Sequence, residues 1–158
     1  MRWVSSMAAS LSAGDSGRAR IKGDPEVSDA VNYRTTPDWE RAVMDLTGGQ
    51  GADHVVELGG AGTFRKSLLA LRVGGRLYAI GNLAGEAQIN PQMILAKRAN
   101  VHGIQVGSRE LFEAMNRAIS QAQLKPVIDR QFEFGDARAA YDYLASRTHF
   151  GKIVVRGA

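Results

Sequence analysis

The chain has 158 residues, of which 44% are hydrophobic, and this is enough for one compact domain with a core but short for two. The net charge is +4, yet arginines recur singly between acidic residues, which favours a solvated surface over a nucleic-acid site. No apolar run is long enough to span a membrane, and the absence of cysteine excludes disulfides and thiolate metal ligands. We therefore expect a cytoplasmic protein with no nucleic-acid or membrane partner.

The amino-terminal segment differs from the rest of the chain. Residues 1–27 show neither helical nor strand periodicity, so we expect this segment to be poorly ordered. From residue 28 onward, short apolar runs alternate with helical periods, which is typical of parallel strands joined by crossover helices. The sequence thus predicts an α/β domain over residues 28–158, with a mainly parallel, doubly wound sheet.

The elements follow one another in that rhythm. Strands are predicted at 30–33, 54–58, 76–80, 101–106, 126–132 and 152–156. Helices are predicted from Thr36 to 46, and at 63–72, 91–97, 110–122 and 136–144. In the helix at 110–122, Leu111, Met115 and Ile119 form the face that we expect to point inward. The strands at 54–58, 76–80 and 101–106 should lie parallel.

A glycine follows each of these three strands. Gly59 and Gly60 follow the first strand, Gly81 the second and Gly107 the third. In an open parallel sheet the carboxyl ends of the strands share one edge, where ligands bind and glycine allows a close approach to the backbone. Tight turns from a strand into a helix also need glycine. Both interpretations stay open from the sequence.

The start of the helix at 110–122 has the composition of an anion site. Gly107, Ser108 and Arg109 combine a capping hydroxyl, free amides and a guanidinium group. A serine cap beside a solvated arginine is the alternative interpretation.

Other kinds of site lack support in the sequence. The G-x-G-x-x-G fingerprint of a pyrophosphate-binding turn is absent, because Arg65 stands where Gly60 and Gly62 would need a third small residue. The histidines share no spacing typical of metal ligands. We therefore predict no metal ligand and no catalytic residue in this chain.

Several segments together resemble the zinc-type, medium-chain alcohol dehydrogenases and quinone oxidoreductases. They are GADHVVELGGAGT from Gly51, VGGRLYAIGNLAG from Val73, VHGIQVGSRELFEAMNRAI from Val101, LKPVIDRQFEF from Leu124 and HFGKIVV from His149. In that family a GroES-like catalytic domain precedes a Rossmann domain that binds NAD or NADP. The resemblance implies the later, cofactor-binding portion alone: a partial Rossmann-like sheet without its first strands and without the catalytic domain.

The resemblance also implies a cofactor site. Carried over by position, the candidates are Gly59 and Gly60 at the adenosine ribose, Gly81 and Asn82 at the nicotinamide ribose, and Val106, Gly107 and Ser108 at the nicotinamide ring, with Arg109 beside them. Lys152, in the HFGK turn, resembles a position near the cofactor, and an exposed turn lysine is the alternative. The zinc ligands of the family lie in the domain that precedes this portion, so we expect this chain to bind no zinc.

Three functions remain open at this stage. The first is NAD(P)-dependent hydride transfer to or from an alcohol, aldehyde, ketone or quinone, with the isolated chain incomplete and inactive. The second is an interaction module that pairs through an unprotected strand at 54–58, or forms a homodimer through the strand from Val101 to Val106, as the family does. The third is a nonfunctional fragment.

Overall fold

The computed structural model describes residues 3–5, 29–33, 35–81, 85 and 88–157, with only the backbone course described for 3–5. These residues form two compact units, one ending at residue 105 and the other beginning at residue 106. The strands are β1 (Trp3–Ser5), β2 (Ala52–Glu57), β3 (Leu71–Ala79), β4 (Asn100–Gly103), β5 (Ile128–Phe132) and β6 (Lys152–Val155). The helices are α1 (Trp39–Leu46), α2 (Phe64–Ala70), α3 (Pro91–Lys97), α4 (Arg109–Gln121) and α5 (Ala137–Ser146).

The first unit contains a four-stranded sheet in the order β1-β2-β3-β4, with every neighbouring pair parallel. The register between β2 and β3 is irregular at its start, since Ala52 pairs with Leu71 but His54 pairs with Arg76. Four residues of β3, from Arg72 to Gly75, therefore stand opposite Asp53 and leave the ladder as an irregular bulge. Beyond the bulge the pairing is regular, so the carboxyl ends of β2, β3 and β4 lie at one edge. The α/β fold with a mainly parallel sheet is confirmed.

The core of this unit lies between the sheet and the helices that connect its strands. Its buried members are apolar: Trp39, Val43, Ala52, Val55, Leu68, Ala70, Leu71 and Leu77. Helix α1 begins at Trp39 with Asp38 as its N-cap, later than the predicted start at Thr36. Gly48 and Gly49 follow it with φ of +62° and +78°, a conformation that glycine adopts without steric cost and that ends a helix.

Helix α3 supports the end of α2 through one side chain. The Nζ of Lys97 donates hydrogen bonds to the carbonyl oxygens of Leu69, at 3.0 Å, and Leu71, at 2.6 Å. Carbonyls at the end of a helix have no partner within that helix, so an ammonium group there is stabilising. Burial lowers the pKa of Lys97, because desolvation penalises its charged form.

The second unit consists of α4, α5 and a two-stranded parallel sheet of β5 and β6. Of its described residues, Ala140 alone is a buried hydrophobic residue. A polar and aromatic cluster joins α5 to β5: the Tyr143 hydroxyl donates to Asp129 Oδ2 at 2.7 Å, and the Arg130 guanidinium lies 4.1 Å from the centroid of the Tyr143 ring. This unit therefore exposes most of its apolar side chains.

Several predicted details are wrong. Residues 30–33 form no strand, and Val31 and Tyr33 instead pack against the core as irregular chain. The strand at 54–58 is not an edge, because β1 pairs with β2 from His54 to Val56. The remainder of residues 1–27 lies outside the described residues, and a single domain over 28–158 stays a prediction.

The strand predicted from Val101 to Val106 is shorter than expected. It runs from Asn100 to Gly103, and one further backbone bond joins the Ile104 amide to the Ala79 carbonyl at 2.9 Å. Val106 belongs to the second unit. After Ile104 the chain continues without regular structure until α4 begins at Arg109.

The face of α4 that was expected to point inward is largely exposed. Leu111 is 63% and Met115 49% accessible, although Ile119 is partly buried. The helical period specifies which side chains share a face, and it carries no information on what covers that face. Among the described residues, no helix combines the length and apolar character needed to cross a membrane.

Candidate functional site

A buried carboxylate organises the carboxyl end of β2. Glu57 is the last residue of β2 and its relative accessibility is 0%. Its Oε1 accepts hydrogen bonds from the amides of Gly59, at 2.8 Å, and Gly60, at 3.0 Å, and from Thr63 Oγ1 at 2.5 Å. Its Oε2 accepts a short hydrogen bond from Ser67 Oγ. One side chain thus connects the strand, the turn that follows it and helix α2.

This residue was missed in the sequence analysis. Glu57 stands in an otherwise buried strand, where an isolated charge is costly unless hydrogen bonds satisfy it. Gly59, Gly60, Thr63 and Ser67 follow within ten positions, and each supplies one donor. An acidic residue at the end of a buried strand, directly before such a set, was the available signal.

The glycines at this edge are required by the packing of the chain itself. Gly60 has a φ of +72°, a left-handed conformation that favours glycine. A Cβ on Gly59 would collide with the side chain of Thr63, and a Cβ on Gly81 would collide with the backbone carbonyl of Leu58. Tight turns therefore account for these glycines without a ligand, although they also leave the edge free of side-chain bulk.

The ends of β2 and β3 are joined. The amides of Ile80 and Gly81 both donate to the carbonyl oxygen of Glu57, at 2.9 Å and 3.1 Å. Gly59, Gly60 and Gly81 consequently lie together at the carboxyl edge of the first unit. Of the predicted site residues, these three are the ones that the structure brings into one place.

The remaining candidates lie elsewhere or are not described. Asn82 falls outside the described residues. Val106 is 96% exposed and, with Gly107, Ser108, Arg109 and Lys152, it belongs to the second unit.

The start of α4 shows how the serine and arginine are used within the chain. Ser108 Oγ accepts a hydrogen bond from the Leu111 amide at 3.3 Å, which makes it the N-cap. Arg109 Nε contacts Glu113 Oε1 at 2.9 Å in an exposed i,i+4 pair. Lys152 begins β6 with an exposed side chain. These contacts agree with the alternative interpretations of the sequence, in which Ser108 is a helix cap and Arg109 and Lys152 are solvated charges. The cofactor roles of these residues remain proposals.

A polar cavity of about 380 Å³ lies at the opposite, amino-terminal edge of the sheet. Its lining consists of Asp53, His54, Arg72, Gly74, Arg76 and Asn100. The bulge in β3 opens this space, and Arg72 Nε pairs with Asp53 Oδ1 at 2.5 Å across it. None of the candidate site residues lines this cavity.

In the part of the chain that the structure describes, no group of three or more histidine, aspartate or glutamate side chains is arranged to hold a metal ion. Catalytic zinc sites use three protein ligands at short range, drawn from histidine, cysteine and acidic side chains. The zinc-free state of this chain stays a prediction.

Comparison with known proteins identifies the family. The family profile described as zinc-binding dehydrogenase matches residues 26–155. A zinc-type alcohol dehydrogenase-like protein of Schizosaccharomyces pombe is 36% identical over 132 residues, which are 80% of this chain and 38% of that protein. A probable quinone oxidoreductase of the same yeast is 29% identical over 157 residues, covering 93% of this chain and 46% of that protein.

A solved structure supports the same assignment. The crystal structure of a putative alcohol dehydrogenase from Sinorhizobium meliloti 1021 superposes with a TM-score of 0.76 and 34% identity, covering 98% of this chain and 43% of that one. The chain therefore belongs to the zinc-binding dehydrogenase family, whose relatives are dehydrogenases and oxidoreductases. It spans less than half the length of the relatives that it matches.

Proposed function

We propose that this chain is the nicotinamide-dinucleotide-binding portion of an oxidoreductase that transfers hydride between NAD or NADP and an alcohol, aldehyde, ketone or quinone. The observation that carries the proposal is the joined carboxyl ends of β2 and β3, where Gly59, Gly60 and Gly81 lie together in a member of a dehydrogenase family. In open α/β sheets, ligands bind at this edge.

The residues at this edge fit a dinucleotide. Glycines leave the ends of the strands without side chains, so a planar or sugar group can reach the backbone. The Glu57 network fixes the turn before any ligand arrives, which lowers the ordering cost of binding. The dinucleotide would supply hydride chemistry, and this chain would bind and orient it.

Two solved structures of similar proteins add support through their cofactors. One neighbour, 29% identical with a TM-score of 0.72, is a NAD-dependent alcohol dehydrogenase. Another, mycobacterial Rv1454c, was solved with NADPH, and at 24% identity its likeness to this chain concerns the fold alone. We therefore propose NAD or NADP as the cofactor without a preference between them.

The remaining parts of the proposal follow from the family. Asn82, Val106, Gly107, Ser108, Arg109 and Lys152 are proposed to complete the cofactor site. We propose that groups outside this chain bind the alcohol or quinone and that the chain alone is inactive. The cytoplasm stays the expected compartment.

A fluorescence titration tests the proposal. Purified chain is titrated into NADH and, separately, into NADPH while the emission of the reduced nicotinamide is recorded, and the bound cofactor is then displaced with NAD or NADP. We expect a saturable change with one cofactor or both. No change up to millimolar cofactor would remove cofactor binding from this chain.

The edge strand β4 favours a second candidate function, self-association. Within the described residues β4 pairs with β3 alone, and its other edge has no strand beside it. Val101 and the following Ile104 are 38% and 44% exposed. Unpaired strand edges recruit other chains, so we propose the segment from Val101 to Val106 as a homodimer surface.

A further inference from the structure

We propose that the polar cavity at the amino-terminal edge of the four-stranded sheet binds a small molecule that carries a terminal phosphate group. Arg76 and Asn100 are its proposed main donors. None of the residues proposed to contact a nicotinamide cofactor lines this cavity, so the site is additional to the proposed function.

The bulge in β3 creates the cavity. Four residues of β3 stand opposite Asp53, so β2 and β3 separate at their amino-terminal ends. Two adjacent glycines allow this backbone path. Gly74 has a φ of +72°, and a Cβ on Gly75 would collide with the side chain of Leu71. The packing of the chain therefore specifies the bulge, and the space of about 380 Å³ beside it belongs to the fold itself.

The strand register gathers polar side chains at this space. His54 on β2 pairs with Arg76 on β3, and Arg76 pairs with Asn100 on β4. Side chains alternate between the two faces of a sheet, so residues paired in this way share a face. Val55 and Leu77, which follow His54 and Arg76, point to the opposite face and are buried in the core. The polar row thus lines the cavity from three neighbouring strands.

The charges around the cavity favour an anion. Arg72 Nε lies 2.5 Å from Asp53 Oδ1, and Arg72 Nη1 donates to the Val73 carbonyl at 2.9 Å, so this arginine and this carboxylate are largely used within the chain. Arg76 is exposed, and within the described part of the chain its guanidinium group has no ion pair or hydrogen bond. The side chain of Asn100 likewise has no hydrogen bond to a described residue. An anion would supply the acceptors that these two groups lack.

The placement of the donors favours phosphate over carboxylate. A guanidinium group can donate two parallel hydrogen bonds to either anion. Arg76 and Asn100, however, lie on different strands, and Arg72 borders the same space from the bulge. A tetrahedral phosphate accepts hydrogen bonds from all of these directions, whereas a carboxylate accepts them mainly in one plane.

The size of the cavity restricts the rest of the ligand. Pockets for small molecules enclose roughly 300–1,000 Å³, and a cavity of about 380 Å³ is near the lower limit. A terminal phosphate is linked to the rest of its molecule on one side alone, so it can enter a small cavity. The bridging phosphates of NADH are linked to a nucleoside on both sides, and we therefore expect NADH not to bind here.

Titrations followed by the amide resonances of the isotopically labelled chain test the site. Inorganic phosphate and glycerol phosphate are the probes, and acetate and sodium chloride at matched ionic strength are the controls. We expect both probes, at millimolar concentration, to cause saturable shifts at Arg72, Gly74, Arg76 and Asn100. Acetate and chloride should cause no saturable shift there, because general screening of charge does not saturate at one site. Saturation with acetate and not with phosphate would contradict the assignment of the ligand.

Arg76→Gln is compared with the matched control Arg41→Gln. Arg41 is also exposed, but it lies on α1 and does not line the cavity, so the two variants lose the same charge at different places. We expect Arg76→Gln to weaken phosphate binding about tenfold or more, because it removes charge-assisted hydrogen bonds. Arg41→Gln should weaken it less than about twofold, because distant surface charges are screened.

Two results would overturn the proposal: no saturable shifts at millimolar phosphate, or equal losses of affinity in the two variants. Either result would make Arg76 an ordinary solvated charge. Should Arg76→Gln fail to fold, Asn100→Asp takes its place, since it puts a negative charge against the phosphate and should abolish binding. Wild-type affinity in Asn100→Asp would contradict the site. None of these outcomes depends on whether the chain binds NADH.

Discussion

The amide of Gly81 donates a 3.1 Å hydrogen bond to the carbonyl oxygen of Glu57, and this bond ties the end of β3 to the end of β2. The two backbones approach so closely that a Cβ on Gly81 would lie inside the van der Waals surface of Leu58. Side chains are therefore excluded at this point for steric reasons. Because the two backbones lie so close together, the carboxyl edge of the sheet is narrow and carries no side chain at Gly81.

Gly81→Ala should destabilise the first unit. The added methyl group meets the Leu58 backbone and cannot move aside, so we expect a loss of about 2 kcal/mol or more in the free energy of unfolding, measured with urea. Gly103→Ala, in the same sheet, is the control, because a Cβ there meets no atom within 4 Å. Equal stability of the two variants would contradict the close approach.

Lys97→Met should weaken the junction of α2 and α3. The variant keeps the apolar stem but loses the hydrogen bonds to Leu69 and Leu71, and we expect a loss of about 1 kcal/mol because solvent partly replaces them. Lys125→Met is the control, since Lys125 is exposed and should change stability by less than about 0.5 kcal/mol. Urea unfolding of both variants decides this, and indistinguishable midpoints would count against the capping role of Lys97.

The sequence predicted the sheet better than the site. Strand periodicity and strand-end glycines located β2, β3 and the start of β4, because short apolar runs that end at a glycine are a strong local signal for strands. The pairing of β1 with β2 escaped prediction, since strand pairing is a long-range choice that three residues cannot encode.

The errors at the site have equally physical causes. The glycines suggested a ligand, yet the contacts that require them are with Thr63 and Leu58, and such contacts appear only in three dimensions. Glu57 was missed because its donors come from a turn and a helix that must first fold over it. The exposure of Leu111 and Met115 was missed because amphipathic periodicity does not specify a partner.

Tyr143→Phe should change how stability depends on pH. The hydrogen bond to Asp129 raises the pKa of Tyr143 above its ordinary value of 10.0. The protonated tyrosine is therefore favoured in the folded state, and its contribution is present below pH 10.0 and lost as the pH rises through the folded pKa. We expect the variant to be less stable than wild type at pH 8, with a gap that closes in strongly alkaline solution.

Tyr141→Phe on the same helix is the control for this pH series. Tyr141 is 72% exposed and has no hydrogen bond among the described residues. Removal of its hydroxyl group should therefore leave the pH dependence of the stability unchanged. Thermal midpoints measured from pH 7 to 12 compare the three proteins. A constant gap between wild type and Tyr143→Phe across that range would contradict the role of Asp129.

Val101→Lys should prevent self-association through β4. A lysine on an edge strand opposes pairing with another strand, so the variant should be monomeric at concentrations where wild type forms dimers. Val73→Lys adds the same charge in the bulge of β3, where Val73 is 58% exposed, and should leave the dimer intact. Light scattering that reports a monomeric wild type at high concentration would end the proposal.

The most direct test of the central claim maps NADH binding by the amide resonances of the isotopically labelled chain. The carboxyl-edge site predicts that NADH shifts the amides of Gly59, Gly60 and Gly81 and leaves those of Arg76 and Asn100, which line the cavity at the amino-terminal edge, unchanged. Shifts confined to Arg76 and Asn100, or no shifts at millimolar NADH, would contradict it.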